Sequence, residues 1–134
     1  MAAEISRLRK PHAAANGCRV LVVDDDADNV ALLLELLRVE GYLAASAENG
    51  AAALAMLGEG FDPDLILTDL MMPVMSGWDL CESLKQASNY RSIPIIVSCG
   101  LTPEQRGKLQ VEAAFEKPIN VDELLPKIKE LCGL

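Results

Sequence analysis

The chain has 134 residues, 51% of them apolar and 24% charged, which suits one globular domain able to bury a core without staples. Its net charge of −8 works against non-specific nucleic-acid binding, which needs clustered Lys and Arg facing phosphates. No apolar run approaches the roughly 18 residues of a membrane span, and the opening MAAEISRLRKPHAAANG lacks the apolar stretch of a signal peptide, so a cytoplasmic protein is expected.

Residues 1–17 read as a loose arm, locally basic through Arg7, Arg9 and Lys10, and residues 18–134 as the folded domain. RVLVV (19–23) is a short β-branched run of the buried-strand type. Asp26 is placed to cap the next helix, where Val30, Leu33, Leu34 and Leu37 mark one face and Gly41 ends it. YLAASA (42–47) is a weaker strand. The Ala-rich segment after it reads as a helix stopped by Gly58 and Gly60. DLILT (64–68) is the third strand. Ser76, with Asp79 three residues on, opens a helix to about Ala87. IPIIVS (93–98) is the fourth strand, with Pro94 tolerable near its start. Thr102-Pro103 begins a fourth helix, AAFE is a short fifth strand, and Asn120 and Glu123 cap a last helix striped by Val121, Leu124, Leu125, Ile128 and Leu131.

Strands alternating with helices in this way predict an α/β fold: a five-stranded parallel sheet with helices on both faces. Cys18, Cys81, Cys99 and Cys132 are scattered, with no C-x-x-C pair. Reduced, packed thiols are therefore expected, and neither a disulfide nor a metal site built on them. His12 is the only histidine and falls in the arm, which removes histidine acid–base catalysis and most zinc chemistry from the domain.

In open parallel sheets, ligands bind beyond the carboxyl ends of the strands. Asp24, Asp25 and Asp26 follow the first strand here, Asp69 the third, Ser98 the fourth and Lys117-Pro118 the fifth. Taken singly, each has an ordinary reading as a turn residue, a cap, a strand-end hydroxyl or a solvated lysine. Taken together, several carboxylates at one crevice repel one another unless a cation sits among them. With no His or Cys in the set, a hard, oxygen-loving ion such as Mg²⁺ suits them, and a lysine and a hydroxyl across the crevice suit a phosphoryl group.

VLVVDDD, LILTDLMMPVMSG, IPIIVS and EKPI, in this order, resemble the receiver domain of two-component response regulators over roughly residues 19–133. The resemblance implies the flavodoxin-like strand order 2-1-3-4-5, with Asp69 as phosphoacceptor. It also implies Asp24, Asp25, Asp69 and the Met71 backbone carbonyl as Mg²⁺ ligands, Ser98 as the hydroxyl that bonds the phosphoryl group and Lys117 as its cationic partner. Such a domain takes its phosphoryl group from a sensor histidine kinase or a phosphotransfer protein and signals by binding another protein. The chain is expected to work as a single-domain response regulator and to be no enzyme beyond its own phosphorylation and slow dephosphorylation. Pro73 and Gly77 are expected to shape the loop after Asp69, with Met72 and Met75 packed beneath it.

The chain departs from the family's pattern in places. Ala114 stands where an aromatic residue is usual, with Phe115 one place later and so on the other strand face. Cys99 stands where a small residue, usually Ala, is preferred. The segment from Ser98 to Lys117 is short, so a short or displaced fourth helix is expected. The resemblance implies that side chains two residues after the acceptor and two after the switch hydroxyl influence the attacking water. These are Met71 and Gly100 here, neither able to orient water, so slow self-dephosphorylation is expected unless a partner phosphatase intervenes. The competing readings are three. A pseudo-receiver would bind partners without phosphorylation. A phosphohydrolase of the haloacid dehalogenase type would need a second Asp where Met71 stands. A flavodoxin-like carrier would set three Asp residues against an FMN phosphate.

Overall fold

A computed structural model of the chain describes residues 17–134. The arm expected over 1–17, and His12 with it, lies outside the described residues apart from Gly17. In chain order the elements are β1 (Arg19–Val23), α1 (Ala27–Val39), β2 (Leu43–Ala47), α2 (Gly50–Gly58), β3 (Leu65–Thr68), α3 (Gly77–Gln86), β4 (Ile95–Val97), α4 (Pro103–Leu109), β5 (Ala113–Ala114) and α5 (Val121–Leu131). All strand pairs are parallel, and the sheet order is β2-β1-β3-β4-β5. This is the order the resemblance implied. β1 and β3 lie at its centre, with the break in strand order between them.

Strand side chains alternate between two cores, because successive residues face opposite sides of a sheet. Val20, Val22, Leu65, Leu67 and Ile96 face α1 and α5, which bury Leu33, Leu37, Leu124 and Ile128 against them. Leu21, Val23, Ile66, Ile95 and Val97 face α2 and α3, which contribute Ala53, Leu57, Leu80 and Leu84. Burial on both faces explains why the central strands are continuous apolar runs rather than alternating ones.

The helix starts follow from short polar side chains that accept backbone amides left without intrahelical partners. Asp26, Asn49, Ser76, Thr102 and Asn120 all serve as N-caps. In α4 the Thr102 cap is reciprocated by Gln105 and followed by Pro103 at the first helical position. That helix spans only 7 residues and buries none of them, in line with the shortened segment.

The cysteines overturn the expectation of four reduced thiols. Cys18, just before β1, and Cys132, the C-cap of α5, form a disulfide across 114 residues of sequence. Local spacing carries no sign of it. The pairing arises because α5 packs over the sheet face beside β1, which brings the two Cα atoms to 6.1 Å. Cys81 and Cys99 are free, the first buried in the core beneath α3.

Candidate functional site

The carboxyl edge of the sheet gathers the polar strand ends. Asp24 follows β1 and is 3% exposed, an environment a lone carboxylate would avoid. Its Oδ1 accepts the Asp26 amide at 3.0 Å, and its Oδ2 accepts Asn29 Nδ2 at 2.7 Å and Lys117 Nζ at 3.1 Å. Asp69 follows β3. Its amide donates to Val23 O at 2.9 Å, continuing the β1–β3 ladder one residue past the strand. Its Oδ1 accepts the Leu70 amide at 2.7 Å and the Met71 amide at 3.4 Å, while Oδ2 accepts Lys117 Nζ at 3.2 Å.

Lys117 therefore bridges the two carboxylates. Burial on its own would lower the Lys117 pKa. Hydrogen bonds from its ammonium to Asp24 and Asp69, and their charges, outweigh that and raise it above 10.5. Asp25 completes the cluster: one carboxylate oxygen from each of Asp24, Asp25 and Asp69 lies within 4.8 Å of the others. Three hard oxygen donors this close, with one buried and one half-buried, fit a small divalent cation such as Mg²⁺. Asp26 stands apart from them as the cap of α1, accepting the Asp28 and Asn29 amides.

Ser98 follows β4 and is buried, its amide donating to Thr68 O at 2.9 Å. It thus sits on the strand next to Asp69. Lys117 joins Pro118 through a cis peptide bond. The Met-Pro loop has a local cause for its shape. Gly77 has no room for a Cβ, which would collide with the backbone of Asp69 and Leu70, and its amide donates to Leu70 O at 3.0 Å. Met75 donates its amide to Pro73 O at 2.7 Å, holding Val74 at φ 68°, an uncommon backbone for a β-branched residue. Met72 packs on the core, Met75 rests against Gly50 at the start of α2, and Met71 is exposed at the rim.

The Response regulator receiver domain model matches residues 20–129. The chain belongs to that family. The receiver is 43% identical to the response regulator PleD of Caulobacter vibrioides over 83 residues, 62% of this chain and 18% of that protein. It is 33% identical to the sensor histidine kinase TmoS of Ectopseudomonas mendocina over 128 residues, 92% of this chain and 13% of that protein. This receiver thus spans less than a fifth of either relative's length. A response regulator receiver protein from Pseudomonas putida superposes with a TM-score of 0.76 at 30% identity, covering 84% of this chain and 96% of that one.

The departures fall where the strand faces put them. Ala114 pairs with Val97 in β5 and turns to the α2–α3 core, whereas Phe115 packs on the α1–α5 side, so the two occupy opposite faces. Cys99 is half-buried beside Ser98, its Sγ 3.7 Å from Gly100 O. Two contributors escaped the sequence reading. Asn29 orients Asp24 from the first turn of α1, and the Thr68 hydroxyl donates to Asp69 O at 2.8 Å. A helix that starts beside the acidic pair was the available signal for Asn29. Thr68 carries none, because a buried strand threonine looks the same wherever it lies. Among the described residues, no helix is long and apolar enough to cross a membrane.

Proposed function

We propose that this receiver accepts a phosphoryl group on Asp69 from a sensor histidine kinase or a phosphotransfer protein. It then signals by binding another protein, as a cytoplasmic single-domain response regulator. The observation that carries this reading is the Lys117 ammonium held 3.1 Å from Asp24 and 3.2 Å from Asp69. One cation so placed neutralises the acceptor and the metal-binding acid together, and it lies ready to pair with an added phosphate.

Phosphoryl transfer asks the protein for in-line placement and charge neutralisation more than for covalent help. An Asp69 carboxylate oxygen forms the bond to phosphorus while the donor's nitrogen or acyl oxygen leaves with its electron pair. Asp24, Asp25, Asp69 and the Met71 carbonyl would hold Mg²⁺, which when bound neutralises charge on the carboxylates and on the phosphoryl oxygens. Lys117 exchanges its contact with Asp69 for one with a phosphoryl oxygen, and the Ser98 hydroxyl donates to another. The protein turns over nothing but its own phosphoryl group.

Incubation with Mg²⁺ and a small acyl phosphate tests this by intact-protein mass. Wild type should gain one phosphoryl group and Asp69→Asn none. A second reading, the pseudo-receiver, is favoured by Ala114 at the aromatic position and by the unburied α4. It forecasts no gain of mass, and binding of partners unaltered by Asp69→Asn.

A further inference from the structure

Thr68 ends β3 immediately before Asp69 and is wholly buried, a place where a hydroxyl costs free energy unless it finds a partner. Its partner is the main chain of the acceptor itself: Oγ1 donates to Asp69 O at 2.8 Å. Gly77 closes on the same oxygen from the start of α3, where a Cβ would collide with it. The carbonyl of Asp69 and the amide of Leu70 belong to one rigid peptide plane, so a hold on the first sets the direction of the second. The Leu70 amide points at Asp69 Oδ1 and donates to it at 2.7 Å. The main chain on either side is anchored as well. Thr68 O accepts the Ser98 amide at 2.9 Å, and the Asp69 amide donates to Val23 O at 2.9 Å. A continuous run of bonds thus leads from the buried hydroxyl, through one peptide, to the carboxylate whose Oδ2 faces Lys117 Nζ at 3.2 Å.

We propose that Thr68 is a positioning residue for the phosphorylation of Asp69. Its hydroxyl fixes the Asp69–Leu70 peptide, which aims the Leu70 amide at Oδ1 and holds the carboxylate in one orientation. The inference rests on Asp69 being the phosphoacceptor, as proposed above. With acetyl phosphate as donor, an Asp69 carboxylate oxygen forms a bond to phosphorus. The bond from phosphorus to the acetyl oxygen breaks, and acetate leaves with its electron pair. In-line attack uses only a narrow range of carboxylate orientations. Without the hydroxyl the peptide is free to tilt, the Leu70 amide loses its aim, and the carboxylate spends less time within that range. Thr68 acts through the peptide and not on the phosphoryl group.

Three substitutions separate this role from packing. Thr68→Val keeps the shape and loses the hydroxyl, Thr68→Ser keeps the hydroxyl and loses a methyl group, and Thr68→Ala loses both. Each variant and wild type are incubated with saturating Mg²⁺ and acetyl phosphate, the phosphorylated fraction is followed by intact mass, and the denaturant midpoint is measured on the same protein. Thr68→Val should gain its phosphoryl group roughly tenfold more slowly than wild type, the effect of one hydrogen bond. Thr68→Ser should stay close to the wild-type rate although its methyl-sized cavity lowers the midpoint. Thr68→Ala should be as slow as Thr68→Val, so Thr68→Ser against Thr68→Ala decides the matter even where Thr68→Val fails to fold. A packing role gives the opposite order, with rates that follow the midpoints. Thr68→Ser as slow as Thr68→Ala, or Thr68→Val at the wild-type rate, overturns the inference while leaving Asp69 as acceptor. Failure of wild type to gain mass refutes the acceptor reading itself.

Discussion

At the scale of single residues, Asp24 and Asp69 are held by partners that fix their carboxylates before any ligand arrives. Asp24 is buried with three donors on its two oxygens, and one of these, Asn29 Nδ2 at 2.7 Å, serves no other purpose visible in the fold. Groups that orient a metal-binding carboxylate typically govern affinity by an order of magnitude or more. Asn29→Ala should therefore weaken Mg²⁺ binding roughly tenfold, read by direct titration of the metal. The Lys117 bridge makes a separate forecast. Its pKa is raised in the folded state, so its contribution to stability is present below 10.5 and is lost as pH rises through the folded value. In metal-free protein, the stability advantage of wild type over Lys117→Met should be level at neutral pH and shrink above 10.5, measured by denaturant unfolding across pH.

At the scale of elements, the loop from β3 to α3 stores conformational energy next to the acceptor. Val74 is 86% exposed and held at φ 68°, so packing of its own side chain does not compensate for the backbone it adopts. What holds it is the Met75-to-Pro73 bond together with Gly77 closing on Asp69 and Leu70. Such a backbone costs ~1–3 kcal/mol, whereas glycine there would add about 0.5–1 kcal/mol of chain entropy. Val74→Gly should accordingly stabilise the domain by roughly 1 kcal/mol, seen as a higher denaturant midpoint. The same loop answers why a buried strand should end on a charge followed by Met71, Met72 and Pro73. The acceptor stands at the sheet edge, and the residues after it form a tight return that drops Met72 onto the core and starts α3.

At the scale of the whole molecule, the Cys18–Cys132 bridge joins the start of β1 to the end of α5. A crosslink closing 114 residues removes chain entropy from the unfolded state worth on the order of 4–5 kcal/mol in the entropic limit. Reduction, or a Cys18→Ser and Cys132→Ser pair, should lower stability by up to about that amount. Comparing denaturant midpoints with and without reductant checks it, with the double serine variant insensitive to reductant. A cytoplasm that keeps thiols reduced would hold this bridge open, so the domain would there rely on the two apolar cores alone.

The sequence by itself determined the order and type of all ten elements, because apolar runs, polar caps and glycine stops are local signals acting over a few residues. It also determined which polar residues stand together at the carboxyl edge, Asp24, Asp25, Asp69, Ser98 and Lys117, because strand ends in a parallel sheet all face one edge and their identities can be read where each run stops. The short α4, and the opposite facing of Ala114 and Phe115, were legible for the same reason: helix length and strand period are counted along the chain. Tertiary structure decided what depends on meetings between distant segments. Cys18 and Cys132 are 114 residues apart and show no local pattern, so only the packing of α5 over β1 pairs them. Asn29 against Asp24 is a contact over five residues with a local signal in the helix that starts beside the acidic pair, whereas the Lys117 bridge between Asp24 and Asp69 is set by where three strands end in space, which distance along the chain does not encode.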